Sequence, residues 1–183
     1  MPAKPSRVKP EKLELMQPSL GFRQEFLAFR AEFSPQEEIP GLASMNAGDF
    51  DSDVRNALDH AKGKRLRKGW VPANTFWLVR NGTTIVGVLQ IRHKLTRFLK
   101  AEGGHIGYSV RPSERGKGYA TRMLGMALTE ARRLGMKRVL ITCDRRNIAS
   151  ARVIQKNGGR LENEIVSTVP GREFTCRYWI EIP

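Results

Sequence analysis

Val110-Arg111-Pro112-Ser113-Glu114-Arg115-Gly116-Lys117-Gly118-Tyr119-Ala120 joins an apolar run ending at Val110 to an amphipathic helix beginning near Tyr119. The two glycines allow a tight turn and bring backbone N–H groups close to a ligand, with Arg115 and Lys117 placing positive charge beside them. The following helix adds unpaired N–H groups and the positive end of its dipole. A stretch built this way is a phosphate cradle, and its neighbours say which fold carries it.

Downstream, the helix turns Met123, Leu124, Ala127, Leu128, Ala131 and Leu134 to one face and ends at Gly135. Val139-Leu140-Ile141-Thr142-Cys143 is a nearly unbroken apolar run, suited to a strand covered on both faces. Strand, helix, strand over this length is a βαβ crossover with parallel strands, so the cradle lies at a strand's carboxyl end, where open α/β sheets bind ligands. Upstream, 105–110 is the preceding strand, reached through a basic linker over 92–100 and the glycines at 103 and 104. Before it, the runs 76–79 and 84–91 flank Asn81-Gly82, a tight hairpin.

Further out, a short strand over 13–16 precedes a helix capped by Ser19, whose Phe22, Phe26, Phe29 and Phe33 form one aromatic face. Asp49 caps a second helix carrying Phe50, Val54, Ala57, Leu58 and Ala61, and the loop 34–48 links the pair. The run Lys62-Gly63-Lys64-Arg65-Leu66-Arg67-Lys68 reads as a solvated helix end. Residues 147–157 form a short helix stopped by Gly158-Gly159, and strands over 160–168 and 174–182 meet at Pro170-Gly171.

The 183 residues, 40% of them hydrophobic, suffice for one domain over 13–183 behind a flexible basic arm over 1–12. A net charge of +14 and a pI near 10.5 imply polyanionic company: nucleic acid or ribosome, an anionic surface, or a highly phosphorylated cofactor. No apolar stretch approaches the ~18 residues of a membrane span and no signal-peptide core opens the chain, so a cytoplasmic protein without membrane association is expected. Cys143 and Cys176 lack the spacing of a zinc site or redox pair and read as buried thiols.

Two phosphate-binding folds are excluded. A nucleotide triphosphatase loop needs glycine where Arg111 stands and a hydroxyl residue where Gly118 follows Lys117. A dinucleotide fingerprint counted from Gly116 needs a third glycine where Thr121 stands.

Arg115-Gly116-Lys117-Gly118-Tyr119-Ala120 resembles the Arg/Gln-x-x-Gly-x-Gly/Ala signature of the GNAT superfamily of acyl-CoA-dependent N-acyltransferases, with the Val-x-Pro that often precedes it. Asn147-Ile148-Ala149-Ser150 resembles that family's Asn-x-x-Ala/Ser helix start, and Lys156-Asn157-Gly158-Gly159 its following segment. The resemblance implies an α/β fold with a mixed, mainly antiparallel sheet, a central parallel βαβ unit and helices on both faces. It implies transfer of an acetyl group from acetyl-CoA, as co-substrate and without a metal, to a primary amine of a small molecule or a protein N-terminus, in a monomer or homodimer. The N–H groups of Arg115, Gly116, Lys117, Gly118, Tyr119 and Ala120 then hold the CoA pyrophosphate, with Arg115, Lys117 and Arg122 screening its charge. The pantetheine pairs with Ser109 and Val110 at a bulge, Asn147 bonds its arm, and Ser150 lies near the thioester.

The chemistry needs a neutral amine, donors for the tetrahedral oxyanion and a proton for the thiolate. The family's oxyanion donor maps to the backbone N–H of Tyr108 or Ser109. Candidate bases are Glu102, His105 and Asp144, the last of which is equally suited to capping the next helix. Where many members carry a tyrosine acid, this chain has Ile154, which leaves Ser150, Tyr108 or water to protonate the thiolate. The other class of reading is a non-catalytic CoA-binding or RNA- or ribosome-associated module.

Overall fold

Asn81 and Gly82 take φ values of +51° and +75°, the left-handed pair of a tight hairpin, and close β2 (Ala73–Arg80) onto β3 (Thr84–Arg92). In the computed structural model, which describes residues 11–35, 37–43, 45 and 48–182, this hairpin is the middle of an antiparallel sheet. β1 (Leu13–Met16) pairs with β2, and β4 (Ile106–Val110) pairs with β3, for the order β1-β2-β3-β4. A second sheet holds β5 (Arg138–Asp144), β6 (Arg160–Val166) and β7 (Phe174–Glu181) in the order β5-β7-β6, so the last strand lies between the two before it. The proposed basic arm lies outside the described residues as far as residue 10.

Side-chain alternation along β2 divides the core between the two faces of the first sheet. Trp77 and Val79 face α1 (Arg23–Ala31) and α2 (Phe50–Ala61), where Phe26 and Phe50 pack against the indole and Phe29, Phe33 and Val54 complete the same cluster. Phe76 and Leu78 face Met123, Leu124 and Ala127 of α3 (Tyr119–Arg133) and Ile154 of α4 (Ile148–Lys156). A bulge opposite Leu78 and Val79 shifts the parity of β3, so Ile85 and Val88 both serve the α1–α2 face. Each fully buried phenylalanine contributes about 1.5–3 kcal/mol of transfer free energy. Asp49 caps α2 by accepting from the N–H of Ser52 at 3.0 Å, as its position suggests. Ser19 makes no side-chain cap; a single 3₁₀ turn over Leu20–Phe22 leads into α1 instead.

The β4–α3–β5 crossover is present, but its strands meet only at one end. His105 N–H donates to the Leu140 carbonyl at 2.6 Å, and Leu140 N–H donates to His105 Nδ1 at 2.9 Å. Beyond this point no ladder joins β4 to β5, and the two sheets part. The splay needs no bulge in β4, whose register on β3 is unbroken from Ile106 to Val110. It depends on Gly104: φ is +62°, and a Cβ there would stand 2.6 Å from the Leu140 oxygen.

Other expectations change with tertiary context. The linker over 92–100 is partly structured: Arg92 ends β3, and a π turn occupies Leu99–Gly103. Leu134, expected inside, is 41% exposed past the end of α3. Cys143 and Cys176, distant in sequence, are cross-strand partners of β5 and β7 and remain buried free thiols. Among the described residues no helix is long and apolar enough to cross a membrane.

Candidate active site

The cradle is held from outside by charges the sequence scattered. Arg111 bridges Glu32 at 2.5 Å and Glu25 at 2.6 Å, both on or next to α1, which explains an arginine where other phosphate loops carry glycine. Glu32 also accepts from the N–H of Ser113 at 3.0 Å. Glu114 is buried and gripped through both oxygens by Arg80, at 3.0 and 3.1 Å, while Lys117 reaches it at 2.8 Å. These donors hold the Glu114 carboxyl below its usual range. Gly116 and Gly118 then take φ of +79° and +80°, and Gly118 precedes α3 without any side-chain cap. The first N–H groups of α3 are therefore left for a ligand. Tyr119 turns its ring into the core, where its hydroxyl accepts from Arg80 at 3.0 Å and donates to Glu11, so only its backbone belongs to the cradle.

Each cation beside the cradle has a carboxylate companion. Arg115 meets Glu37 at 3.0 Å, Lys117 meets Glu114, and Arg122 meets Glu11 at 2.8 Å. The exposed Arg115–Glu37 and Arg122–Glu11 pairs are worth about 0–1 kcal/mol, little enough for an anionic ligand to displace them.

Strand parity decides which atoms of β4 face the opening. Arg111 N–H donates to the Val86 carbonyl, and Arg92 N–H to the His105 carbonyl. With the register of β3 on β4, these bonds commit the polar backbone groups of Gly107 and Ser109 to β3, and turn those of Ile106, Tyr108 and Val110 into the splay. Arg115 Nε indeed reaches the Val110 carbonyl at 3.3 Å. Ser109, expected to pair with pantetheine, is thus occupied on its backbone, and its hydroxyl donates to the Pro40 carbonyl at 2.9 Å.

A cavity of about 810 Å³ opens from the splay, lined by Tyr108, Asn147 and Ser150 together with residues 37–43, Leu99, Glu102 and Gly103, and Thr168 and Arg172. Asn147 caps α4, its side-chain oxygen accepting from the Ser150 N–H at 3.0 Å. Tyr108 Oη and Ser150 Oγ lie 3.0 Å apart, and burial pushes the phenol up to about 12. Ile154 is fully buried against the core. Cys143 also lines the cavity, its thiol pushed up to about 12 by burial. Nothing in the sequence marked that thiol beyond its place at the end of an apolar run.

The candidate bases separate. Glu102 lines the cavity, but its carboxylate accepts from the Thr168 N–H at 2.7 Å, Thr168 Oγ1 at 3.2 Å, Ser167 Oγ at 3.0 Å and Thr175 Oγ1, with Arg172 at 3.5 Å. Against the upward push of burial, these donors hold it below the carboxylate range, and its lone pairs are spent on the 167–175 turn. Asp144 accepts from the Arg146 N–H at 2.8 Å and pairs with its guanidinium at 3.0 Å, bracing the turn before α4. His105 stands outside the cavity lining as the stitch between the sheets. Burial, then the nearby Arg92 charge, pull its imidazole down to about 4.

His105 is therefore neutral when folded, and protonation favours the unfolded chain. Its contribution is complete above pH 6.5 and drains as pH falls toward 4, by at most about 3 kcal/mol over that window. Denaturant titrations at pH 7 and pH 4.5 are expected to show this part of the loss in the parent and not in His105→Asn, whose amide oxygen can still accept from Leu140. Equal losses in both would remove the assignment.

A family model described as the acetyltransferase (GNAT) domain matches residues 31–160, from the end of α1 through cradle and α4 to the start of β6. The chain belongs to the GNAT acetyltransferases. It is an N-acetyltransferase, and acetyl-CoA is its co-substrate. Solved structures share the fold of this GNAT chain across nearly its whole length. RimL, the ribosomal L7/L12 α-N-protein acetyltransferase, in complex with coenzyme A, is 19% identical, with 93% of this chain and 94% of that one covered at a TM-score of 0.66. The microcin C7 self-immunity acetyltransferase MccE, in complex with acetyl-CoA and AMP, is 18% identical, with 98% of each chain covered at 0.64. Mutant forms of the spermidine/spermine N-acetyltransferase SpeG from Vibrio cholerae are 14% identical, with 94% and 95% covered at 0.60. No curated protein matches the sequence. At these identities the likeness is one of fold. Among the described residues of this GNAT domain, no group of three or more His, Cys, Asp or Glu is placed to hold a metal ion.

Proposed function

We propose that this GNAT enzyme passes the acetyl group directly from acetyl-CoA to the primary amine of a small molecule or a protein N-terminus, with both substrates bound at once. The observation that carries this reading is the continuity of the cavity, which joins the Tyr108–Ser150 pair to an open region bounded by residues 37–43 and 168–172. A single continuous space supports holding both reactants together, which can supply on the order of 7–11 kcal/mol of the barrier.

In this reading the N–H groups from Arg115 to Ala120 take the pyrophosphate and the outward backbone groups of Val110 and Tyr108 take the pantetheine. The Tyr108 N–H stabilises the oxyanion as the amine nitrogen bonds to the carbonyl carbon. The C–S bond then breaks with its electron pair on sulfur, and the surplus proton of the ammonium ends on that sulfur. Tyr108 Oη, protonated at neutral pH, donates a hydrogen bond to the departing thiolate and, with Ser150 Oγ, relays the proton. With Glu102, Asp144 and His105 committed elsewhere, the amine enters already neutral.

Purified protein with labelled acetyl-CoA is expected to acetylate members of a panel of amines, amino acids and peptide N-termini. Acetyl-CoA binding without transfer to any of them would overturn the proposal. Tyr108→Phe is expected to lower kcat by about 10–100-fold while acetyl-CoA affinity stays within about threefold; an unchanged kcat would leave proton donation to water.

A further inference from the structure

The charges around the cavity do not cancel at depth. Glu37 is paired with Arg115, Asp144 with Arg146 and Glu102 with Arg172 and its hydroxyl donors. Glu38 and Arg30 are exposed at the surface. Arg92 is different. It is the last residue of β3, its backbone N–H fixed by the His105 carbonyl at 2.8 Å, and its guanidinium reaches the cavity wall.

One terminal nitrogen of that guanidinium, Nη1, donates to the Gly103 carbonyl at 2.8 Å and to the Gly104 carbonyl at 3.1 Å. No carboxylate among the described residues forms an ion pair with it, and burial alone pulls its pKa down. The other terminal nitrogen, Nη2, has no acceptor among those residues. It lies beside Gly107, where a Cβ would stand 3.5 Å from Nη2 and 3.5 Å from Pro40 Cβ. The missing side chain keeps a path open between Nη2 and the cavity. Gly107 also adjoins Tyr108, whose N–H is the proposed oxyanion donor.

A half-buried cation with carbonyl partners and no counter-charge favours an anionic ligand, and a planar guanidinium fork with a free edge matches the geometry of an oxyanion. We infer that the acetyl acceptor is an amine that also carries a carboxylate or phosphate, and that the free edge of Arg92 binds this oxyanion while the amine lies at Tyr108. The same cation repels a second ammonium, so diamines are disfavoured. The inference rests on the acetyl-transfer reading above and narrows its acceptor.

The test uses matched pairs offered with acetyl-CoA: β-alanine against β-alaninamide, and O-phosphoethanolamine against ethanolamine. The parent enzyme is expected to favour at least one anionic member by about tenfold or more in kcat/KM, and the better pair tells carboxylate from phosphate. Arg92→Gln is expected to bring the ratio within about twofold, and Arg92→Lys, which keeps charge but loses the fork, to leave it in between. Acetyl-CoA affinity and melting temperature report whether each variant is folded, and the lysine variant decides if the glutamine one is not. Equal use of both members by the parent, or an unchanged ratio in a folded variant, overturns the role of Arg92 and leaves acetyl transfer standing. If nothing is acetylated, acetyl transfer fails. Binding of the same pairs to the CoA-loaded protein then judges Arg92, and no preference for an anionic member overturns it.

Discussion

Gly118→Glu is expected to weaken acetyl-CoA binding by about 100-fold or more, with the protein still folded. Gly118 sits at φ +80° in open space, so the substituent meets no packed atom and the cost falls on the loop. A non-glycine residue there strains the backbone by roughly 1–2 kcal/mol, which relaxes by withdrawing N–H groups from the ligand position. A carboxylate beside a pyrophosphate adds repulsion of about 1–4 kcal/mol, depending on local screening. Together these reach the roughly 3 kcal/mol that corresponds to two decades in affinity. Isothermal titration with acetyl-CoA measures it, with Gly118→Ala expected near tenfold because it keeps only the strain. An affinity unchanged in folded Gly118→Glu would mean that the pyrophosphate is held elsewhere.

Glu102→Ala should destabilise the fold more than any cradle substitution, by about 3–5 kcal/mol in chemical denaturation. Glu102 is 4% exposed and collects the Thr168 N–H, three hydroxyls and Arg172, so its removal strands donors in a buried place. The backbone beside it is tied in as well, since Thr142 Oγ1 donates to the Glu102 carbonyl at 2.6 Å. For a chain of this length the loss corresponds to a fall of about 6–20 °C in melting temperature. Because the folded carboxyl is held below 4.5, its contribution is present above that pH and is lost as pH falls through the folded value. Glu102→Gln retains one acceptor oxygen and should lose less. A small effect of the alanine variant would return Glu102 to the list of free bases.

What could be read from the chain was local. The Asn81-Gly82 hairpin, the phenylalanine face of α1, the Asp49 cap and the glycine cradle each state their conformation within a few residues, through φ preference or side-chain period, whereas the cap of α4, for which Asp144 is a candidate in the sequence, falls to Asn147. The π turn at Leu99–Gly103 left only the Gly103-Gly104 pair as a trace, and β7 gave no sign that it would enter between β5 and β6. Arg92 did carry a weak signal, a charge closing an apolar strand, but the linker that follows made it look like part of a basic run.

The sequence by itself determined the local form of the donor side: two glycines, flanking cations and a helix start build a phosphate cradle because backbone N–H groups and a dipole need only consecutive residues, and the resemblance to the family is what proposes pyrophosphate as its occupant. Tertiary structure alone decided the rest of the site. Register on β3, set by pairing across the sheet, chose Tyr108 and Val110 over Ser109 for the splay. Contacts spanning 65 to 73 residues turned Glu102 from a candidate base into a clamp on the 167–175 turn. His105 became a neutral stitch between sheets, and Arg92 was left with a free edge in the cavity. Whether a titratable side chain is spent or available depends on which distant donors and acceptors reach it, and that is a property of packing in three dimensions.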